Sequence, residues 1–72
     1  MAEDITAPLA GKIVKIGIEN GKVVEEDEEV FVIEAMKMET PVYAPCDGTV
    51  EKITVKVGDE VEEEDVLAVL NQ

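Results

Sequence analysis

The residues with the most chemistry to offer form one short string near the middle of the chain, Glu34-Ala35-Met36-Lys37-Met38-Glu39. The string is nearly palindromic about Lys37, with a methionine on each side and a glutamate further out at Glu34 and Glu39. An exposed lysine amine is the group from which an amide to a cofactor acid is built. At neutral pH it is protonated, its unperturbed pKa being about 10.4. Acylation therefore needs a dedicated ligase and an activated acyl donor. The flexible stem then lengthens the arm that carries the attached group. Met36 and Met38 add soft, adaptable apolar contacts for an approaching enzyme. A lysine in a turn is ordinarily just a solvated lysine, so the weight of this one depends on where it lies.

It lies at the midpoint of an internal repeat. When the chain is slid against itself by 37 positions, Ala7-Pro8-x-x-Gly11 falls on Ala44-Pro45-x-x-Gly48, Lys15-Ile16 on Lys52-Ile53, and Gly21 on Gly58. Val24-Glu25-Glu26 falls on Val61-Glu62-Glu63, and ten of the 27 pairs between 7–33 and 44–70 are identical. Each copy reads as β structure. The segments 12–18 and 49–55 carry β-branched residues in near alternation, which puts Ile16 and Ile18 on one face and Lys15 on the other. Val30-Phe31-Val32-Ile33 and Val66-Leu67-Ala68-Val69-Leu70 are apolar runs too short for a typical helix and suited to core strands. Asn20-Gly21 and Gly58-Asp59 are turn signals. Neither copy can bury its apolar face alone, so the pattern predicts two sheets packed face to face about an approximate two-fold axis. One domain, 1–72, is expected, with halves of about 5–33 and 42–70 joined by a hairpin over 34–41. Lys37 would project from the tip, and the chain termini would meet at the opposite end.

Composition removes most other functions. The 72 residues carry eighteen acids and six bases, all six of them lysine, for a net charge of -12. Such a surface repels phosphate backbones and anionic membranes, so neither nucleic acid binding nor direct membrane insertion is expected. A partner with a basic face would be attracted. There is no histidine, which rules out Ser-His and Cys-His catalysis and any His-containing zinc site. The single cysteine, Cys46, can form no intrachain disulfide; it aligns in the repeat with Leu9, which is expected in the core, and is itself expected to be a small buried apolar residue. The acidic runs 25–29 and 62–65 lack the spaced pattern and central glycine of a calcium loop and read as solvated turns. No metal site and no catalytic residues are assigned. There is no long apolar run, and the N-terminal stretch is acidic where a signal peptide is basic, so a cytoplasmic setting is expected.

With these residues in view, the chain resembles the biotinyl, or biotin carboxyl carrier, domain of biotin-dependent carboxylases, decarboxylases and transcarboxylases. Glu34-Ala35-Met36-Lys37-Met38 matches that family's attachment motif position by position, and the Ala-Pro-x-x-Gly and Gly-x-x-Val patterns of both halves match as well. The resemblance implies an all-β, flattened barrel-sandwich of two four-stranded antiparallel sheets, of the type without a protruding thumb. It implies biotin bound covalently to Lys37 on the hairpin between the fourth and fifth strands, with Glu34, Ala35, Met36 and Met38 as the recognition hairpin. The implied partners are biotin protein ligase, a biotin carboxylase, and a carboxyltransferase or decarboxylase, the chain itself being a non-catalytic carrier. The chain departs from the family's pattern at Asp27 and Glu64, where the family often has glycine.

A lipoyl-type carrier is the nearest rival reading, but there the lysine typically follows Asp and precedes Ala, whereas both neighbours here are Met. An unmodified β-sandwich interaction module is the other. All three readings share the crowded negative charge, whose self-repulsion added salt screens. The melting temperature, followed by calorimetry, is therefore expected to rise between low and moderate ionic strength; an unchanged value would contradict this.

Overall fold

A computed structural model describes residues 2–72, which form eight strands and no helix. In chain order these are β1 (Ala2–Thr6), β2 (Gly11–Ile16), β3 (Val23–Val24), β4 (Glu29–Ala35), β5 (Met38–Tyr43), β6 (Gly48–Ile53), β7 (Glu60–Val61) and β8 (Val66–Asn71). They pair in two four-stranded sheets, β1-β8-β6-β3 and β5-β4-β2-β7, antiparallel throughout. With no helix among the described residues, none is long and apolar enough to cross a membrane.

The 37-residue interval recurs in the hydrogen bonding. Ala7 N–H donates to the Asp65 carbonyl at 2.9 Å, and Ala44 N–H to the Glu28 carbonyl at 2.9 Å. Gly21 N–H donates to Val50 at 2.8 Å, and Gly58 N–H to Ile13 at 2.8 Å. Each sheet mixes strands from both copies, since β3 lies on β6 and β7 lies on β2. A single copy would leave both of its sheets incomplete. The symmetry mate of the β4–β5 ladder is the β1–β8 ladder: Ala2 faces Asn71 where Glu39 faces Glu34. The N-terminal strand thus pairs with the C-terminal one at the end opposite the hairpin.

The core lies between the sheets. Ile5, Ile13, Val24, Val30, Phe31, Ile33, Val50, Leu67 and Leu70 are essentially fully buried, each such aliphatic contributing on the order of 1.5–3 kcal/mol. Phe31 takes the position that the second copy gives to Ala68, both buried, so a large side chain in one sheet is matched by a small one in the other. Matching bulges explain why alternation in the sequence is imperfect. In β2 the pairing jumps from Ile13↔Ile33 to Lys15↔Val32, and in β6 from Val50↔Leu70 to Lys52↔Val69. One extra residue lets Ile13 and Ile16, three apart, both turn inward, and it does the same for Val50 and Ile53. Ile18 is buried and Lys15 exposed, as the alternation implied.

Two expectations change. Leu9 is half-buried and outside the core, because it sits in the bend between β1 and β2 rather than on a strand. Cys46, in the equivalent bend after β5, is half-buried against the core edge, with the Gln72 side-chain amide 2.9 Å from its sulfur. The acidic runs are exposed turns, and some of their carboxylates are built into them. Glu28 accepts the Glu25 N–H at 3.0 Å and pairs with the Lys22 ammonium at 2.8 Å. Lys22 first, and then the Glu25 N–H, hold the Glu28 carboxyl below its usual pKa. In the second copy Asp65 accepts the Glu62 N–H at 2.8 Å, without the lysine.

Asp27 and Glu64, the two departures from glycine, keep the geometry a glycine would give: their φ angles are 69° and 72°. Each N–H still reaches across the dyad, to Ala44 at 2.9 Å and to Ala7 at 2.8 Å. The left-handed conformation costs an L-residue about 1–2 kcal/mol. Glycine removes that cost and loses about 0.5–1 kcal/mol of it to chain entropy. Glu64→Gly is therefore expected to stabilise the fold by roughly 0.5–1 kcal/mol, raising Tm by about 2–8 °C. Glu64→Val, β-branched at the same φ, should lower it. If both variants melt together with the parent chain, no strain resides there.

Candidate functional site

Lys37 stands at the tip of the β4–β5 hairpin. Pairing runs from Glu29↔Tyr43 to Ala35↔Met38, which leaves Met36 and Lys37 as a two-residue loop. The core sets this register: Phe31 faces Val42 and Ile33 faces Thr40, and a slip of one residue would turn the buried face of β4 to solvent. Two-residue closure of right-twisted strands uses a primed turn, and the type I′ form has positive φ at both loop positions. Met36 and Lys37 have φ of 54° and 66°, with neither a glycine nor an asparagine to ease them. At about 1–2 kcal/mol each, the strain is imposed by the ladder and concentrated on the residue with the chemistry.

The strained turn holds Lys37 away from the protein. It is exposed and, among the described residues, forms no ion pair and no side-chain hydrogen bond. Met36 is 95% exposed and Met38 70%, more than any other large hydrophobic among the described residues, so the amine is flanked by two thioethers in solvent. Ala35 is half-buried, and Glu34 and Glu39 are exposed and face each other across the hairpin. Like charges so placed are unfavourable. Lys12 on β2 faces Glu34 from the other side and Glu60 on β7 faces Lys12, so an outer row runs Glu39, Glu34, Lys12, Glu60. Lys37 and the four residues expected in the recognition hairpin, Glu34, Ala35, Met36 and Met38, are thus brought together at one end. Tyr43 is not among them, since it faces Glu29 at the far end of the ladder.

Two features were not assigned a role from sequence. Gly11, opposite Val61 and beside the base of the hairpin, admits no side chain. A Cβ there would lie 2.5 Å from Ile33 Cγ2 and 2.6 Å from the Glu34 carbonyl oxygen. At its counterpart, Gly48, the nearest atom would be 3.1 Å away, so the strands approach more closely at the hairpin end. The repeated Ala-Pro-x-x-Gly pattern marked both glycines but could not distinguish them. The second feature is an open groove of about 370 Å³ beside the hairpin, with Gly11, Ala35 and Met36 among its lining residues.

What this arrangement can do is limited and definite. It offers one solvent-facing amine on a fixed turn with apolar flanks, a site for an amide-linked group such as biotin, and the fold leaves room around Nζ for one.

Comparison with known proteins agrees. The methylmalonyl-CoA carboxyltransferase 1.3S subunit of Propionibacterium freudenreichii subsp. shermanii is 51% identical over 37 residues, 51% of this chain and 30% of that protein. The urea carboxylase of Kluyveromyces lactis contains a region that superposes with a TM-score of 0.91 at 39% identity, covering 99% of this chain and 6% of the enzyme. The lipoyl domain of the 2-oxoglutarate dehydrogenase complex from Azotobacter vinelandii superposes with a TM-score of 0.78 at 29% identity, over 96% of this chain and 95% of that domain. This chain spans only 6–7% of the length of several large carboxylase subunits that it also matches. Residues 1–70 match the sequence profile of the family described as biotin-requiring enzyme, and the chain belongs to that biotin- and lipoyl-attachment family.

Proposed function

We propose that this chain is a biotin carboxyl carrier, with biotin joined by an amide to Nζ of Lys37. The observation that carries the reading is the exposed amine at the apex of a two-residue turn, between Met36 and Met38, in a chain of this family. When bound, the cofactor supplies a ureido nitrogen that takes up and gives up a carboxyl group. The chain's own residues present it: β4 and β5 fix the turn, and the Lys37 stem gives it reach. Glu34, Ala35, Met36 and Met38 form the surface a ligase reads. The partners are a biotin protein ligase, a biotin carboxylase and a carboxyltransferase or decarboxylase, each needing access to Lys37 in turn. We place the carrier in the cytoplasm, in keeping with a single cysteine and no disulfide.

The similarity to a lipoyl domain makes lipoylation the reading to discriminate. Co-expression with a biotin protein ligase should add one biotinyl mass to the intact chain and make it reactive to streptavidin. Lys37→Arg should abolish both at unchanged Tm, and a lipoate ligase should add nothing. A lipoyl mass in place of the biotinyl one, or biotin retained on Lys37→Arg, would overturn the assignment.

A further inference from the structure

The groove beside the hairpin shares Glu34, Ala35 and Met36 with the recognition hairpin and extends from them over residues of β2 and β7. Its apolar surface comes from Ala10, Gly11 and Ala35, whose small side chains leave the space, together with Val61 and the Met36 thioether. Glu34, Glu60 and Glu62 stand at its edge, with Lys12 between the first two in register. At about 370 Å³ it falls at the lower end of the range of small-molecule sites, roughly 300–1,000 Å³. Met36, which lines it, is the covalent neighbour of Lys37.

We infer that this groove is a resting site for the uncharged ring carried on Lys37. The inference rests on the carrier reading above and extends it to residues outside the attachment motif. A bicyclic ureido ring matches the groove in kind, with apolar ring atoms for Met36 and Val61. Its two N–H donors suit a rim that supplies carboxylate acceptors, and hydrogen bonds to charged acceptors are the stronger kind. Acylation removes the Lys37 charge, so the resting arm brings no cation of its own into the groove. The tether makes even a weak site count. A short flexible link gives an effective concentration in the millimolar range, so a ring that binds with a millimolar Kd spends about half its time docked. The same three glutamates disfavour an anion, so the groove selects the unloaded ring over one bearing a carboxylate. A docked ring is withdrawn from solvent, and any partner must bind it in competition with the groove.

The test begins on the unmodified protein, which separates it from the attachment question. Uncharged biotinamide is titrated into the 15N-labelled chain. Saturable shifts at Gly11, Lys12, Glu60, Val61 and Glu62 with a millimolar Kd are expected. Shifts confined to Met36–Met38, or none up to roughly 10 mM, overturn the inference. Ala10→Gln, at an exposed position, fills the groove and should abolish those shifts at unchanged Tm; their persistence would also overturn it. In the biotinylated protein the same residues should differ from a form acetylated on Lys37, which has lost the same charge but carries no ring. Streptavidin should capture biotinylated Ala10→Gln about twofold faster than the parent chain, and equal rates would mean that the ring does not dock. Failure of the carrier reading shows separately, as a chain that gains no biotinyl mass.

Discussion

Closure of the β4–β5 ladder in two residues is the constraint on which the site depends. The buried faces of Phe31 and Ile33 fix which residues of β4 and β5 meet, and that register leaves only Met36 and Lys37 to reverse the chain. Both take positive φ there, where a non-glycine residue sits uphill by about 1–2 kcal/mol. A glycine or asparagine would relax the turn, yet the position that matters must be a lysine. The core holds the turn in a conformation its residues do not favour, and in return the amine stands clear of every neighbouring carboxylate. Stability drawn from the whole barrel is focused at one point, as is common where a backbone serves a function.

The pseudo-two-fold symmetry supplies that stability and places the site. Because each sheet draws strands from both copies, the copies fold together or not at all. The hairpin and the β1–β8 pair are equivalent ladders, one closed by the turn and the other open at the termini. The equivalence is not perfect, and one of the differences, at Gly11, lies beside the hairpin. Gly11 packs more tightly than Gly48, and Lys22–Glu28 forms an ion pair where the second copy has Asp59 and Asp65.

Much of this was legible in the sequence because the repeat encodes it. Ala7-Pro8-x-x-Gly11 with Ala44-Pro45-x-x-Gly48, and Gly21 with Gly58, defined two matched units before any coordinates, and the midpoint singled out Lys37. The β runs at 30–33 and 66–70 were readable because continuous apolar character over so few residues fits a core strand. What could not be read was set by packing across sequence. The bulges at Val14 and Glu51 appear only when β2 meets β4 and β6 meets β8. Leu9 and Cys46 looked like core by composition, but bends hold them at its margin. Asp27 and Glu64 gave no sign of positive φ, because the cross-dyad bonds that enforce it join residues 17 and 57 positions apart. The groove depends on β7 lying beside β2, a pairing that no local pattern announces.

The central claim is that the second place in the two-residue turn, and not merely an accessible amine in that loop, makes Lys37 the modified residue. Exchanging the two loop residues in a double variant, Met36→Lys with Lys37→Met, tests it directly, since composition, charge and loop length are unchanged. After incubation with a biotin protein ligase, intact mass should show the parent chain fully biotinylated and the exchanged chain essentially unmodified, with the two melting within a degree or two of each other. Equal biotinylation at position 36 would contradict the account.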